Sequence, residues 1–271
     1  MKKHLLLSLF LLLTSNLFAQ YQFQYELTFK KDSTNRDFVQ QELFNLDVLD
    51  GESVFYAEAY AELDSIRANG GSIGGKNAPD PLLDYYITKD LAEKRVAFHE
   101  VIGFARYAIP ENREIKWAIL PETKTYDSDT EEEYQLQKAT TNFGGREWTA
   151  WFASEIAVQD GPYKFYGLPG LIFELYDTER DYVFSLIKIG RTDRLFSSNL
   201  FKSLGIETHP VDFEKYIELK EEFQKNPGAN FRQYMKTMGV DAPASLVRDF
   251  SESTKARMAK NNNTIELTTE E

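Results

Sequence analysis

Histidine and carboxylate are the side chains that could carry chemistry in this sequence, because cysteine is absent. Without a thiol there is no cysteine nucleophile, no zinc–cysteine or iron–sulfur site, no disulfide framework and no lipid-bearing cysteine. His99 stands before Glu100 at the end of an expected strand, and His209 precedes Pro210 in an expected loop. Neither has a second histidine or a carboxylate at a metal-ligand spacing, so no metal and no other cofactor is expected. A serine nucleophile on a Gly-x-Ser-x-Gly elbow is ruled out, since that motif does not occur. Gly70-Gly71-Ser72-Ile73-Gly74-Gly75-Lys76-Asn77 is glycine-rich, but no Ser or Thr follows Lys76 and the glycine spacing is not that of a phosphate cradle. What remains for hydrolysis is a carboxylate pair among the 43 acidic residues, or His99.

The most unusual stretch runs from 134 to 177. Trp148 and Trp151 put bulky rings on both faces of one expected strand. Asp160-Gly161-Pro162 and Gly167-Leu168-Pro169-Gly170 mark two tight turns, where glycine supplies backbone freedom and proline fixes its own φ. Leu168, Leu171 and Ile172 make the second turn apolar, so it is expected to pack against the sheet and lock it. A type II turn with Pro169 in its second position would put Gly170 at positive φ. The second reading of these ten positions (Trp148, Trp151, Gly161, Pro162, Gly167, Leu168, Pro169, Gly170, Leu171 and Ile172) is a rim that binds a ligand or partner.

The elements that must position these residues read mostly as strands. Tyr21, Phe23, Tyr25, Leu27 and Phe29 alternate with polar residues, which predicts a strand with one buried face. Phe44, Leu46 and Val48 continue the alternation and predict its antiparallel partner. Residues 53–69 change to a period of three and four, through Tyr56, Tyr60 and Leu63, and predict a helix. Further strands are expected at 82–87, 95–98, 104–108, 114–120, 134–141, 146–153, 171–176 and 182–189, joined by short polar turns. That spacing favours an antiparallel meander over a parallel sheet with crossover helices. Asp212 to Lys225 carries a helical apolar stripe that Pro227-Gly228 should end, and a second short helix should reach Gly239.

Residues 1–19 are excluded from this fold. Lys2-Lys3, the apolar run Leu5–Leu13 and Phe18-Ala19 predict a secretory signal peptide cleaved after Ala19. The run is too short to span a bilayer, and no later segment approaches that length. A formal charge of -12 without a basic cluster argues against nucleic acid and anionic membrane surfaces as partners.

The stretch also resembles the GLPGLI family, exported proteins found largely in Bacteroidetes. The resemblance rests on Gly167-Leu168-Pro169-Gly170-Leu171-Ile172, with Lys138-Ala139, Phe143-Gly144-Gly145-Arg146, Trp148, Ala150-Trp151-Phe152, Glu155-Ile156 and Gly161-Pro162-Tyr163-Lys164-Phe165 before it. Family members commonly carry a cysteine where Leu136 stands here. The resemblance implies export and supplies no activity, substrate or catalytic residue.

The sequence thus predicts a mainly β, α+β protein: one large curved antiparallel sheet with an inserted helix and C-terminal helices. Residues 20–250 should form a single domain and 251–271 a polar tail without fixed structure. The functional expectation is an exported, periplasmic or envelope-associated binding protein without catalysis, whose partner is an envelope protein or small ligand. The alternatives are a hydrolase using carboxylates or a histidine, and a structural assembly component.

Overall fold

The computed structural model describes residues 20–71, 80–127, 133–197, 199–203 and 206–267. The signal-peptide reading, most of the glycine-rich loop and the centre of the acidic run at 127–133 lie outside the described residues. In chain order the elements are β1 (Tyr21–Phe29), β2 (Gln40–Leu49), β3 (Glu52–Ala57), α1 (Glu58–Ala68), β4 (Tyr85–Asp90), β5 (Arg95–Ile102) and β6 (Ala105–Glu111). Then follow β7 (Ala118–Asp127), β8 (Glu133–Phe143), β9 (Arg146–Ala153), β10 (Leu171–Asp177) and β11 (Tyr182–Gly190). The chain ends with α2 (Asn199–Ser203), β12 (Thr208–Pro210), α3 (Phe213–Lys225), α4 (Pro227–Thr237) and α5 (Ala244–Ala259).

The twelve strands among the described residues join one sheet in the order β12-β6-β5-β4-β3-β2-β1-β11-β10-β9-β8-β7. Every pairing is antiparallel except β12 with β6. Period-two alternation decides the faces of β1. Phe23, Tyr25, Leu27 and Phe29 are fully buried, while Gln22 and Gln24 on the other face bond to Asp47, Asn45 and Glu58. The sheet curls at its β7 end. Lys124 of β7 reaches Glu174 of β10, and the Tyr126 hydroxyl donates to the Leu186 carbonyl of β11. No helix among the described residues is long and apolar enough to cross a membrane.

Three of the local readings that differ from the structure have their physical reason in the surrounding chain. The period-three pattern at 53–69 is split, because β3 is buried on both faces and shows no alternation before α1 begins. Pro227-Gly228 opens α4 rather than only ending α3: Asn226 caps it by accepting from the Ala229 N–H, and proline at the first turn costs no hydrogen bond. The expected unstructured tail is instead ordered over its described residues, 251–267. Residues 251–259 complete α5, and the chain then returns to the sheet. There Asn263 N–H donates to the Lys31 carbonyl, Leu267 N–H donates to Gly144, and Glu266 accepts from Arg113, Lys164 and Tyr163.

The segment between β9 and β10 lies against the apolar face of the sheet. Lys89 and Asp160, both fully buried, meet beneath it at 2.5 Å. Lys89 also donates to the Gly161 carbonyl at 2.7 Å, Ser53 donates to Asp160 Oδ2 at 2.5 Å, and the Tyr25 hydroxyl donates to the Ile172 carbonyl at 2.6 Å. Strands β1, β3 and β4 thus all grip the turn region through polar contacts in the core.

Candidate functional site

The ten motif positions are mostly interior. Trp148 is buried, donates to the Phe143 carbonyl and lies 4.9 Å from the Phe165 ring. Trp151 is half-buried beneath the Lys124 ammonium, 4.6 Å from its ring. Gly161 and Pro162 are buried, and a Cβ on Gly161 would stand 2.6 Å from Ile172 Cδ1. Leu171 and Ile172 are fully buried, whereas Gly167 and Pro169 face solvent. The expected type II turn is not formed: Gly170 N–H donates to the Leu168 carbonyl at 2.8 Å, which closes a three-residue turn around Pro169. Leu168 is 1% exposed. Leu168→Ala is therefore expected to lower unfolding stability by about 2–5 kcal/mol, read from denaturant midpoints; a change below about 1 kcal/mol would contradict the packing described.

The histidines stand apart from this motif and from each other. His99, on β5, stacks on Tyr86 with ring centroids 4.1 Å apart, and its Nε2 lies 3.1 Å from Thr88 Oγ1. Burial, with the Arg106 cation adding to it, holds this imidazole down to about 4. His209 lies exposed on β12, its ring 5.9 Å from that of Tyr107. Among the described residues no three histidine or acidic side chains group as a metal site.

Carboxylates gather instead where β3 leaves the sheet to become α1. Past that point β2 loses its β3 neighbour, and residues 82–84 occupy the gap before β4. Glu42 on β2 accepts the Leu82 N–H at 2.8 Å and the Leu83 N–H at 3.1 Å. Burial, helped by the nearby Asp80 and Asp84 charges, pushes the Glu42 carboxyl up to about 7 despite those two bonds. Asp84 follows Leu83 directly. Its Oδ1 accepts from the Tyr60 hydroxyl and from Arg106 Nη2, the latter at 2.7 Å. The Asp84 side chain is 48% exposed. Burial raises the Tyr60 phenol, which keeps it a donor.

A second carboxylate, Asp47, lines a cavity of about 130 Å³ with Gln22, Tyr56, Asp64, Arg194 and Phe196. Both of its oxygens are already engaged, by Gln22, Tyr56 and the Phe196 N–H. Burial raises its carboxyl too, but it has a structural set of partners. Glu111 and Glu266 share Arg113 and Lys164 in a further cluster. Despite burial, the donated bonds and positive charges of Arg113 and Lys164 lower Glu111 to about 2, unsuited to giving up a proton near neutrality.

The fold resembles that of PNGF-II. Two crystal forms of PNGF-II align with TM-scores of 0.54 and 0.55 at 14% identity, over 76% of this chain and 34% of the other. The chain therefore spans about a third of the length of PNGF-II. The likeness to this hydrolase counts against the expectation of a non-catalytic binding protein, which is not carried forward. At this identity it establishes the shared architecture alone. A family described as "Protein of unknown function (Porph_ging)" matches residues 92–174, and no curated protein matches the sequence.

Sequence reasoning passed over Glu42, Tyr60, Asp84 and Arg106. One signal was available. Glu42 is in phase with Phe44, Leu46 and Val48, so the alternation already put a carboxylate on the apolar face of β2.

Proposed function

We propose that the chain is a carboxylate-dependent hydrolase in which Glu42 is the general acid and Asp84 the base or nucleophile. The observation that carries this reading is that two carboxylates come near each other at the β3 gap. Burial, with the Asp84 charge adding to it, holds Glu42 at about 7, where it has a proton to give, and Asp84 is anchored through Oδ1 with its side chain 48% exposed. Glu42 would protonate the leaving atom while Asp84 takes a proton from attacking water or attacks directly. Tyr60 and Arg106 fix the Asp84 rotamer without occupying Oδ2. The architecture shared with a hydrolase supports the reading. Of the two hydrolytic alternatives, the histidine version is dropped, since His99 is neutral, stacked and engaged at Nε2. The proposal also keeps the chain as an exported member of the GLPGLI family, on its Gly167–Ile172 motif and residues 1–19.

A panel of chromogenic amides, esters and glycosides, followed across pH, tests this. Turnover should fall as pH rises through about 7, where Glu42 loses its proton. Glu42→Gln and Asp84→Asn should each lower it by about 10²- to 10⁴-fold. Stability separates this from a folding defect. A carboxyl raised from its usual value to about 7 is bound to its proton more tightly in the folded state, so Glu42 stabilises the fold at low pH and that contribution is lost as pH rises toward 7. Glu42→Gln gives up one of the two backbone N–H acceptors but does not titrate, so its stability relative to the parent should improve as pH rises from about 5 to about 8. Unchanged turnover in both variants, or none by the parent on any substrate class, would refute the assignment.

A further inference from the structure

Arg106 is 1% exposed, yet its guanidinium is only partly used. Nη2 donates to Asp84 Oδ1 and to the Tyr60 hydroxyl at 3.2 Å, whereas Nε and Nη1 are buried with no hydrogen-bond partner. His99 Nδ1 is likewise buried and unpartnered. The two residues project from one face of the sheet. His99 pairs across β5–β6 with Ala108, two residues from Arg106, and the Arg106 charge is felt at the imidazole. The Thr88 hydroxyl lies 3.1 Å from Nε2, and either group can donate; we take the tautomer in which Thr88 donates, which puts the ring proton on Nδ1. The three unpartnered nitrogens are then all donors, and no acceptor among the described residues meets them.

Aromatic rings cover the faces of this group. The Phe201 centroid lies 3.9 Å from the guanidinium carbon, with Tyr86 at 5.3 Å and Tyr60 at 5.6 Å. Those rings leave the in-plane N–H directions as the polar approach. Among the described residues Arg106 pairs with one carboxylate, Asp84, which is half in water and bonds Nη2, so no described carboxylate pairs with Nε or Nη1. Acceptor oxygens bearing a negative charge would satisfy the donors and complete the charge balance.

We propose that Arg106 and His99 form a binding site for a small oxyanion, a carboxylate or phosphate group, on the α2-covered face of the sheet. This site is separate from the Asp84 Oδ2 position invoked for hydrolysis and holds whether or not Glu42 is an acid.

Imidazole NMR at pH 7 tests it, with His99→Gln used to identify the His99 signal. Titration with inorganic phosphate or with acetate should move the His99 ring signals saturably, while chloride at equal ionic strength should not. The phosphate and acetate arms show which oxyanion is taken. Arg106→Lys keeps the charge but loses the Nε–H, and should weaken binding by about tenfold or more. A parent protein whose His99 signals ignore both oxyanions overturns the proposal, even should the lysine variant fail to fold. So does an equal response to neutral acetamide, or unaltered binding in a folded Arg106→Lys protein. Because binding is read without turnover, failure here leaves the hydrolase reading untouched, and an inactive hydrolase leaves this one untouched.

Discussion

Gly170→Ala is expected to destabilise the protein by about 3 kcal/mol or more, or to abolish folding. A Cβ built there would stand 2.1 Å from the Ala153 carbonyl oxygen and 2.8 Å from Ser154 Cα. Both obstacles are backbone, at the end of β9, so no rotamer change relieves them. Leu171 pairs with Ala153 in the sheet, and pushing the turn away would break that register. Gly167→Ala provides the contrast. Its φ is +91°, but no atom lies within 4 Å of the added carbon, so the cost should be limited to backbone strain of about 1–2 kcal/mol. Denaturant unfolding of both variants checks the order; a Gly170→Ala protein as stable as Gly167→Ala would contradict the close approach.

Asp160→Ala should cost about 3–5 kcal/mol, because it leaves the Lys89 ammonium buried without its counter-charge. Burial pushes the Lys89 amine down from its usual value, and Asp160 opposes that push. The remaining acceptors of Lys89 are the Gly161 and Phe165 carbonyls, at 2.7 and 3.3 Å, and Ser53 would lose its acceptor as well. Lys89→Met strands Asp160 in the same way. Replacing both, as Lys89→Met with Asp160→Leu, should cost much less than the two single losses added together. Thermal and denaturant unfolding of the four proteins gives the coupling directly. Additive losses would mean that the charges do not depend on each other for burial.

Sequence legibility tracked how locally each feature is determined. The β1 alternation was visible because one face of that strand is buried against the core and the other is only partly covered. α3 was visible because its apolar stripe recurs three and four residues apart within one short segment. β3 was not, since burial on both faces erases the period that distinguishes strand from helix. The start of β7 was placed too early because Ile115 and Trp117 already alternate, although they pack on the core from the preceding loop. The turn at 167–170 was read correctly as packed and wrongly as type II. Its apolar residues show in the sequence, whereas the approach of the β9 backbone to Gly170 does not. Asp84 and Arg106 carry no local mark at all: they are 22 residues apart and meet only when β4, β5 and β6 are in register. The function expectation was weighed on the buried turn alone, whereas what counts against it is a likeness of whole fold that no local motif announces.

The position of β1 in the sheet has a consequence for how the chain reaches this state. The first strand of the fold is a central one, and it acquires its second neighbour only when β11 is available. Tyr25 waits for the carbonyl of a residue 147 positions later, and the Lys30 carbonyl for a side chain 233 positions later. Closing loops of that length precedes any reward from the contacts they bring, so assembly should be slow and should conclude from the C-terminal side. Until then β1 and β2 form a hairpin with Phe23, Tyr25, Phe29 and Phe44 uncovered. That hairpin is where a chaperone would find the nascent chain, and where aggregation would begin without one.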